Sequence, residues 1–157
     1  MKMVAYILFT LFFFTAMAET KPVRWITDAE RAKVYAIGKA NGVPLSVVRQ
    51  LMYEESRGNV LAVSDMTPEG FYSRGLFQIY TKPGNVEWLL WKFWTKSDGE
   101  FDIDDPIANA TLALRYLSWL HKRFGNWYQA CVYYNHGSVK GYSEGTRTYA
   151  LRIINAP

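Results

Sequence analysis

Apolar positions along most of this chain recur every three to four residues, the spacing that puts one stripe of a helix against a core. Val47, Val48, Leu51 and Met52 make one such stripe, and Ile107, Ala110, Leu114, Leu117, Leu120 and Phe124 make a longer one. Punctuation fits the same reading. Thr27 and Glu30 form a capping-box pair ahead of a helix over 29–40 that stops at Gly42. Pro44 opens a second helix, where its missing N–H does no harm, and Arg57-Gly58-Asn59 ends it. Glu54 and Glu55 therefore fall in that helix's last turn. A short helix is expected over 75–80 and an aromatic one over 86–94. Asp105-Pro106 should open the longest helix, closed by Gly125; further helices are expected over 127–134, ending near Gly137, and over 146–154. No segment keeps a period of two for long, so the fold is predicted to be mainly α with any sheet minor.

The amino terminus follows a different pattern. Lys2 precedes an apolar run from Met3 to Phe14, and Ala16-Met17-Ala18 supplies the small residues of a cleavage site. Charged start, apolar centre and A-x-A ending describe a secretory signal peptide over residues 1–18, leaving one domain over 19–157. The run is short of the roughly 18 apolar residues that a membrane-spanning helix needs. Cys131 is the only cysteine. It excludes an internal disulfide, sits away from the cleavage site where a lipid-bearing cysteine would lie, and among Ala130, Val132 and Tyr133 reads as a buried thiol.

Composition changes the picture in two ways. A net charge of +4 suits an anionic polymer, yet the cations are spread along the chain, and no concentrated basic stripe argues for nucleic acid. Aromatic residues reach 17%, with 6 Trp and 11 Tyr; rings of this kind serve a core, and flat rings with a polar tip also suit sugar faces, two uses that composition alone does not separate. Asp98, Glu100, Asp102, Asp104 and Asp105 alternate like a calcium loop but lack its central glycine and terminal glutamate. They read as a solvated acidic loop running into a helix N-terminus, so no metal is expected.

The candidate chemistry centres on Glu55. General-acid chemistry needs a group still protonated near neutral pH. A carboxyl at a helix C-terminus, beside Glu54 and after the apolar pair Met52 and Tyr53, is placed to have a raised pKa. Glu54 itself reads as an ordinary surface acid. As a second carboxylate to share acid–base work, only Asp65 and Glu69, in the following loop, lie nearby in sequence.

Four strings occur in order: Glu55-Ser56, then Ala62-Val63-Ser64, then Gly75-Leu76-Phe77-Gln78, then Tyr134-Asn135 with Gly137. Together they resemble the lytic transglycosylases of the soluble, lysozyme-like type, over about residues 36–153. The resemblance implies a lysozyme-like single domain with little or no β-sheet. It implies cleavage of the MurNAc-GlcNAc β-1,4 bond of peptidoglycan glycan strands, leaving 1,6-anhydroMurNAc ends, with Glu55 as general acid and base and no cofactor. By the same resemblance Ser64, Gln78, Tyr134 and Asn135 contact substrate or shape the groove, and Tyr149 is the late tyrosine that supports the glutamate. Ser64 also reads as a helix cap, and Tyr149 as core. A monomer in the periplasm or cell envelope is expected, with association with an envelope-spanning machine left open. Two readings stand beside this one: a hydrolytic muramidase on the same fold, and a non-catalytic glycan-binding module. Two departures from the family pattern bear on substrate preference, a longer loop over 65–72 and the bulky Tyr133 and His136 around Tyr134-Asn135.

Overall fold

The computed structural model describes residues 23–157, so the signal peptide expected over 1–18 lies outside the described residues. Helix α1 (Asp28–Ala40) begins with the capping box its sequence predicts. Glu30 N–H donates to the Thr27 hydroxyl, and the Glu30 carboxylate accepts from Thr27 N–H at 2.9 Å. Helix α2 (Leu45–Ser56) follows and ends at Arg57, whose φ of 54° turns the chain out of the helix. Gly38 is what lets α1 and α2 cross closely, because a Cβ there would lie 2.5 Å from a Val48 methyl.

After a loop come two short antiparallel strands, β1 (Ser73–Arg74) and β2 (Ile79–Tyr80), paired Ser73 to Tyr80 and Arg74 to Ile79. This corrects the expected helix over 75–80. Gly75 at φ +85° and Gln78 at φ +49° both adopt left-handed backbone, which a right-handed helix cannot accommodate, and residues 75–78 form a tight turn instead. Six residues are too few for periodicity to separate the two outcomes.

Helices α3 (Asn85–Phe93), α4 (Pro106–Phe124), α5 (Trp127–His136) and α6 (Glu144–Ile154) complete the described chain. Asp105 caps α4 by accepting from the N–H groups of Ile107 and Ala108, and Asn126 and Ser143 cap α5 and α6 in the same way. Helix α6 starts two residues before the expected Thr146, because Ser143 is its cap.

Helix α4 is the axis of the molecule: α1, α3 and α5 pack on it, while α2 and α6 pack together on the flank. Leu114, Leu117 and Leu120 are fully buried, as their shared face predicts. Leu112 and Ala113 are buried as well, whereas Ile107 and Phe124 are only partly so. Neighbours on several sides widen the apolar face beyond one stripe; Leu112 joins Leu89 of α3 and Ile79 of β2 in a second small core. Each such leucine contributes roughly 2 kcal/mol on burial.

The acidic segment is less solvated than expected. Asp98 pairs with Arg115 at 2.7 Å, Asp104 pairs with Arg74, and Asp105 caps α4. Asp104 and Asp98 thus hold the loop against β1 and α4, while Glu100 and Asp102 stay exposed.

Candidate active site

Glu55 projects from the last turn of α2 into a cleft of about 480 Å³. Its lining comes from Gln78 of the turn, from both short strands, and from α3, α4 and α5. Among the described residues that line this cleft, Glu55 is the one carboxylate.

Two tyrosines and a cysteine crowd around it. Tyr149 of α6 donates its hydroxyl hydrogen to Glu55 Oε1. Cys131 of α5, which is buried, and Tyr134, which is half-buried, are both close enough to feel its charge. Burial pushes the Glu55 carboxyl from the ordinary 4.5 up to about 7; the Tyr149 hydrogen bond opposes the rise and the neighbouring Glu54 charge adds to it. Burial is the larger effect, so the acid keeps its proton to near neutral pH. The Cys131 thiol is itself pushed up to about 12 by burial and by Glu55, which leaves it a neutral, inert neighbour.

The expectation that Tyr53 would help to desolvate Glu55 does not hold. Tyr53 is 55% exposed on another face of α2, whereas Met52, three residues before Glu55, is buried in the core. Side chains two residues apart in a helix point in different directions, so the cover on the Tyr53 side is missing and α5 and α6 contribute it instead. Glu54 likewise is not an ordinary surface acid. It accepts from Gln50 Nε2 at 2.9 Å and pairs with Arg152 of α6 at 3.0 Å, clamping α2 to α6.

The turn facing Glu55 is held from two sides. Asn109 of α4, fully buried, accepts from Phe77 N–H at 2.8 Å and donates to the carbonyls of Arg74 and Ile103. A Cβ on Gly75 would lie 2.1 Å from the Asn109 amide nitrogen, so glycine is required there both for its φ and for that contact. From the other side, the Tyr134 hydroxyl donates to the Phe77 carbonyl at 2.8 Å. Tyr134 thus lines the cleft while its hydroxyl braces the turn.

The remaining sequence-derived candidates divide. Gln78 lines the cleft, with its amide Nε2 donating to Ala62 and Gly75 carbonyls at 3.0 Å each. Asn135 also lines it, and its side-chain oxygen accepts from Thr146 at 3.0 Å, tying α5 to α6. Ser64 stands outside the lining set. Its hydroxyl accepts from Ser73 N–H at 2.8 Å and donates to the Asp65 carbonyl, fastening the preceding loop to β1. Sequence reasoning missed Asn109 and also Ser73, Tyr80, Asn85 and Tyr116, which line the cleft. The high aromatic content was the one signal pointing towards the two tyrosines.

Residues 34–156 match the family model for the transglycosylase SLT domain. No curated protein matches the sequence. Among solved structures, the fold is similar to that of an inactive mutant of the lytic transglycosylase Slt from Pseudomonas aeruginosa. The TM-score is 0.62 at 24% identity, over 80% of this chain and 23% of that one. This chain thus spans under a quarter of that longer protein.

Proposed function

Because this chain belongs to the transglycosylase SLT domain family, we propose that it is a peptidoglycan lytic transglycosylase in which Glu55 alone serves as acid and then as base. The supporting observation is a single carboxylate, raised to about 7, in a cleft that offers no second one among its described lining residues. Protonated Glu55 gives its proton to the glycosidic oxygen as the bond to the muramic C1 breaks. The carboxylate that remains takes a proton from the muramic 6-hydroxyl as that oxygen bonds to C1. Water is neither consumed nor released, and Glu55 ends protonated for the next turnover. The attacking hydroxyl belongs to the same sugar, so ring closure has the advantage of an intramolecular reaction over capture of free water. Tyr149, bonded to one carboxyl oxygen, fixes the acid's orientation and leaves the other oxygen for substrate.

Gln78, Tyr134 and Asn135 are the groove residues in this reading, and His136, which also lines the cleft, narrows it beside them. The signal-like residues 1–18 support export to the periplasm or cell envelope, where the substrate lies. No helix among the described residues is long and apolar enough to cross a membrane.

Mass spectrometry of products from purified peptidoglycan tests the reaction. Glycan ends should carry 1,6-anhydromuramic acid, lighter by one water than hydrolysed ends. Predominantly reducing muramic ends would instead identify a hydrolytic muramidase, with Asp65 or Glu69 as the base to examine.

A further inference from the structure

A second groove, also about 480 Å³, lies on the other side of α2 from the cleft. Ser46, Arg49, Gln50 and Tyr53 recur along one face of α2, rotated from Glu55 by roughly 120° or more at 100° per residue. Nothing lining the groove belongs to the catalytic cleft.

Its chemistry combines rings with cations. Trp25 is 61% exposed and Tyr53 55%, and Tyr35 also lines the groove. The Arg57 guanidinium lies 6.0 Å from the centre of the Tyr53 ring. Arg31 is paired with Asp28, but Arg49 and Arg57 make no ion pair among the described residues. Exposed large rings lining one groove with Arg49 and Arg57 form a surface that favours a ligand with flat apolar faces and carboxylates.

We infer that this groove is a second carbohydrate site, binding an anionic strand of wall glycan away from the catalytic cleft, an inference that rests on wall glycan being the substrate. Sugar faces would stack on Trp25 and Tyr53, while lactyl or peptide carboxylates would meet Arg49 and Arg57. The wall is an insoluble mesh of parallel strands, so holding one strand at the rear keeps the enzyme among others that the cleft can reach. The second capture then occurs at the high effective concentration of a tethered molecule.

Binding and turnover separate the rear groove from the cleft. Purified sacculi are sedimented with exported protein carrying Glu55→Gln, so that nothing is digested, with and without Trp25→Ala, Tyr53→Ala and Arg49→Gln together. The triple change should weaken binding on the order of tenfold and flatten its salt dependence. In the active background it should slow digestion of sacculi but leave turnover of a soluble muropeptide tetrasaccharide, which needs only the cleft, unchanged. Unaltered sacculus binding, or equal losses on both substrates, would overturn the second site. So would displacement of the protein by poly-glutamate as efficient as by soluble wall glycan, which would assign the groove to an acidic protein partner. Absence of turnover on either substrate by the unaltered enzyme would remove the proposed reaction, while the sedimentation measurement still decides whether the rear groove holds glycan.

Discussion

Tyr149 donates its hydroxyl hydrogen to Oε1 of Glu55, joining α6 to the end of α2 across 94 residues of sequence. The bond favours the carboxylate, whereas burial favours the acid, and the carboxyl stands at about 7 because burial outweighs the bond. Catalysis by one group in both forms needs that balance, since a much stronger acid would lose its proton before substrate arrives.

Replacing the proposed acid should remove the chemistry and leave the fold. Glu55→Gln should lower the rate of wall digestion by at least about a hundredfold, the low end for loss of a general acid. Glu54→Gln should change the rate far less; its cost should appear in thermal unfolding, because it weakens the clamp to Arg152. Turbidity clearing of wall suspensions with circular dichroism melts reads both, and near-normal clearing by Glu55→Gln would refute the assignment.

The raised pKa also sets the pH response. Activity that depends on protonated Glu55 should fall as pH rises through about 7. Stability follows the same sign. The folded state holds this proton more tightly than the unfolded chain, so Glu55's contribution is fully present below about 4.5 and is lost as pH rises through about 7. Above that, the buried carboxylate costs up to about 3 kcal/mol, since each tenfold difference in proton affinity between the folded and unfolded chain corresponds to about 1.4 kcal/mol. Glu55→Gln should therefore raise the melting temperature at pH 8 and change it little at pH 4. Equal effects at both values would contradict the raised pKa.

Tyr149→Phe keeps the ring and removes the hydrogen bond. The Glu55 pKa should then climb further, because the lost bond was the influence lowering it. The alkaline limb of the rate profile should move to higher pH, and the maximal rate should drop roughly tenfold, on the scale of a hydrogen bond to a charged group. A uniformly lower rate with an unmoved limb would reduce Tyr149 to a packing role.

Asn109→Ala should destabilise by about 1–3 kcal/mol, the cost of leaving buried backbone groups of the 75–78 turn unpaired. Gly75→Ala should be at least as damaging, since it meets both the positive φ and the Asn109 side chain. Chemical denaturation measures each. The double variant should lose less than the sum of the two, because both changes act on one contact.

Export is checked directly by N-terminal sequencing of the secreted form, which should begin at Glu19. A mature protein retaining residues 1–18 would contradict it.

Local grammar made most of the helices readable. Thr27 with Glu30, Asp105 with Pro106, and Gly125 each announce a boundary through interactions spanning a few residues. Glu55 was legible for the same reason, since its place in the last turn of α2 depends only on where that helix ends. The contacts that complete the site are not local. Asn109 looks like any polar residue in α4 until folding brings it against Phe77, 32 positions away. Tyr53 was misjudged because sequence adjacency to Glu55 says nothing about which way a helical side chain points. The turn at 75–78 depends on two left-handed residues, only one of them glycine, and Gln78 gave no warning.

The pairing of α2 with α6 also orders events in time. Synthesis delivers this chain from its amino end, so Glu55 emerges long before Tyr149 and Arg152. Until α6 docks, the acid has neither the tyrosine that orients it nor the full cover that keeps it protonated. A nascent or truncated chain therefore lacks the setting that raises the Glu55 pKa, and the cleft around this carboxyl is completed last.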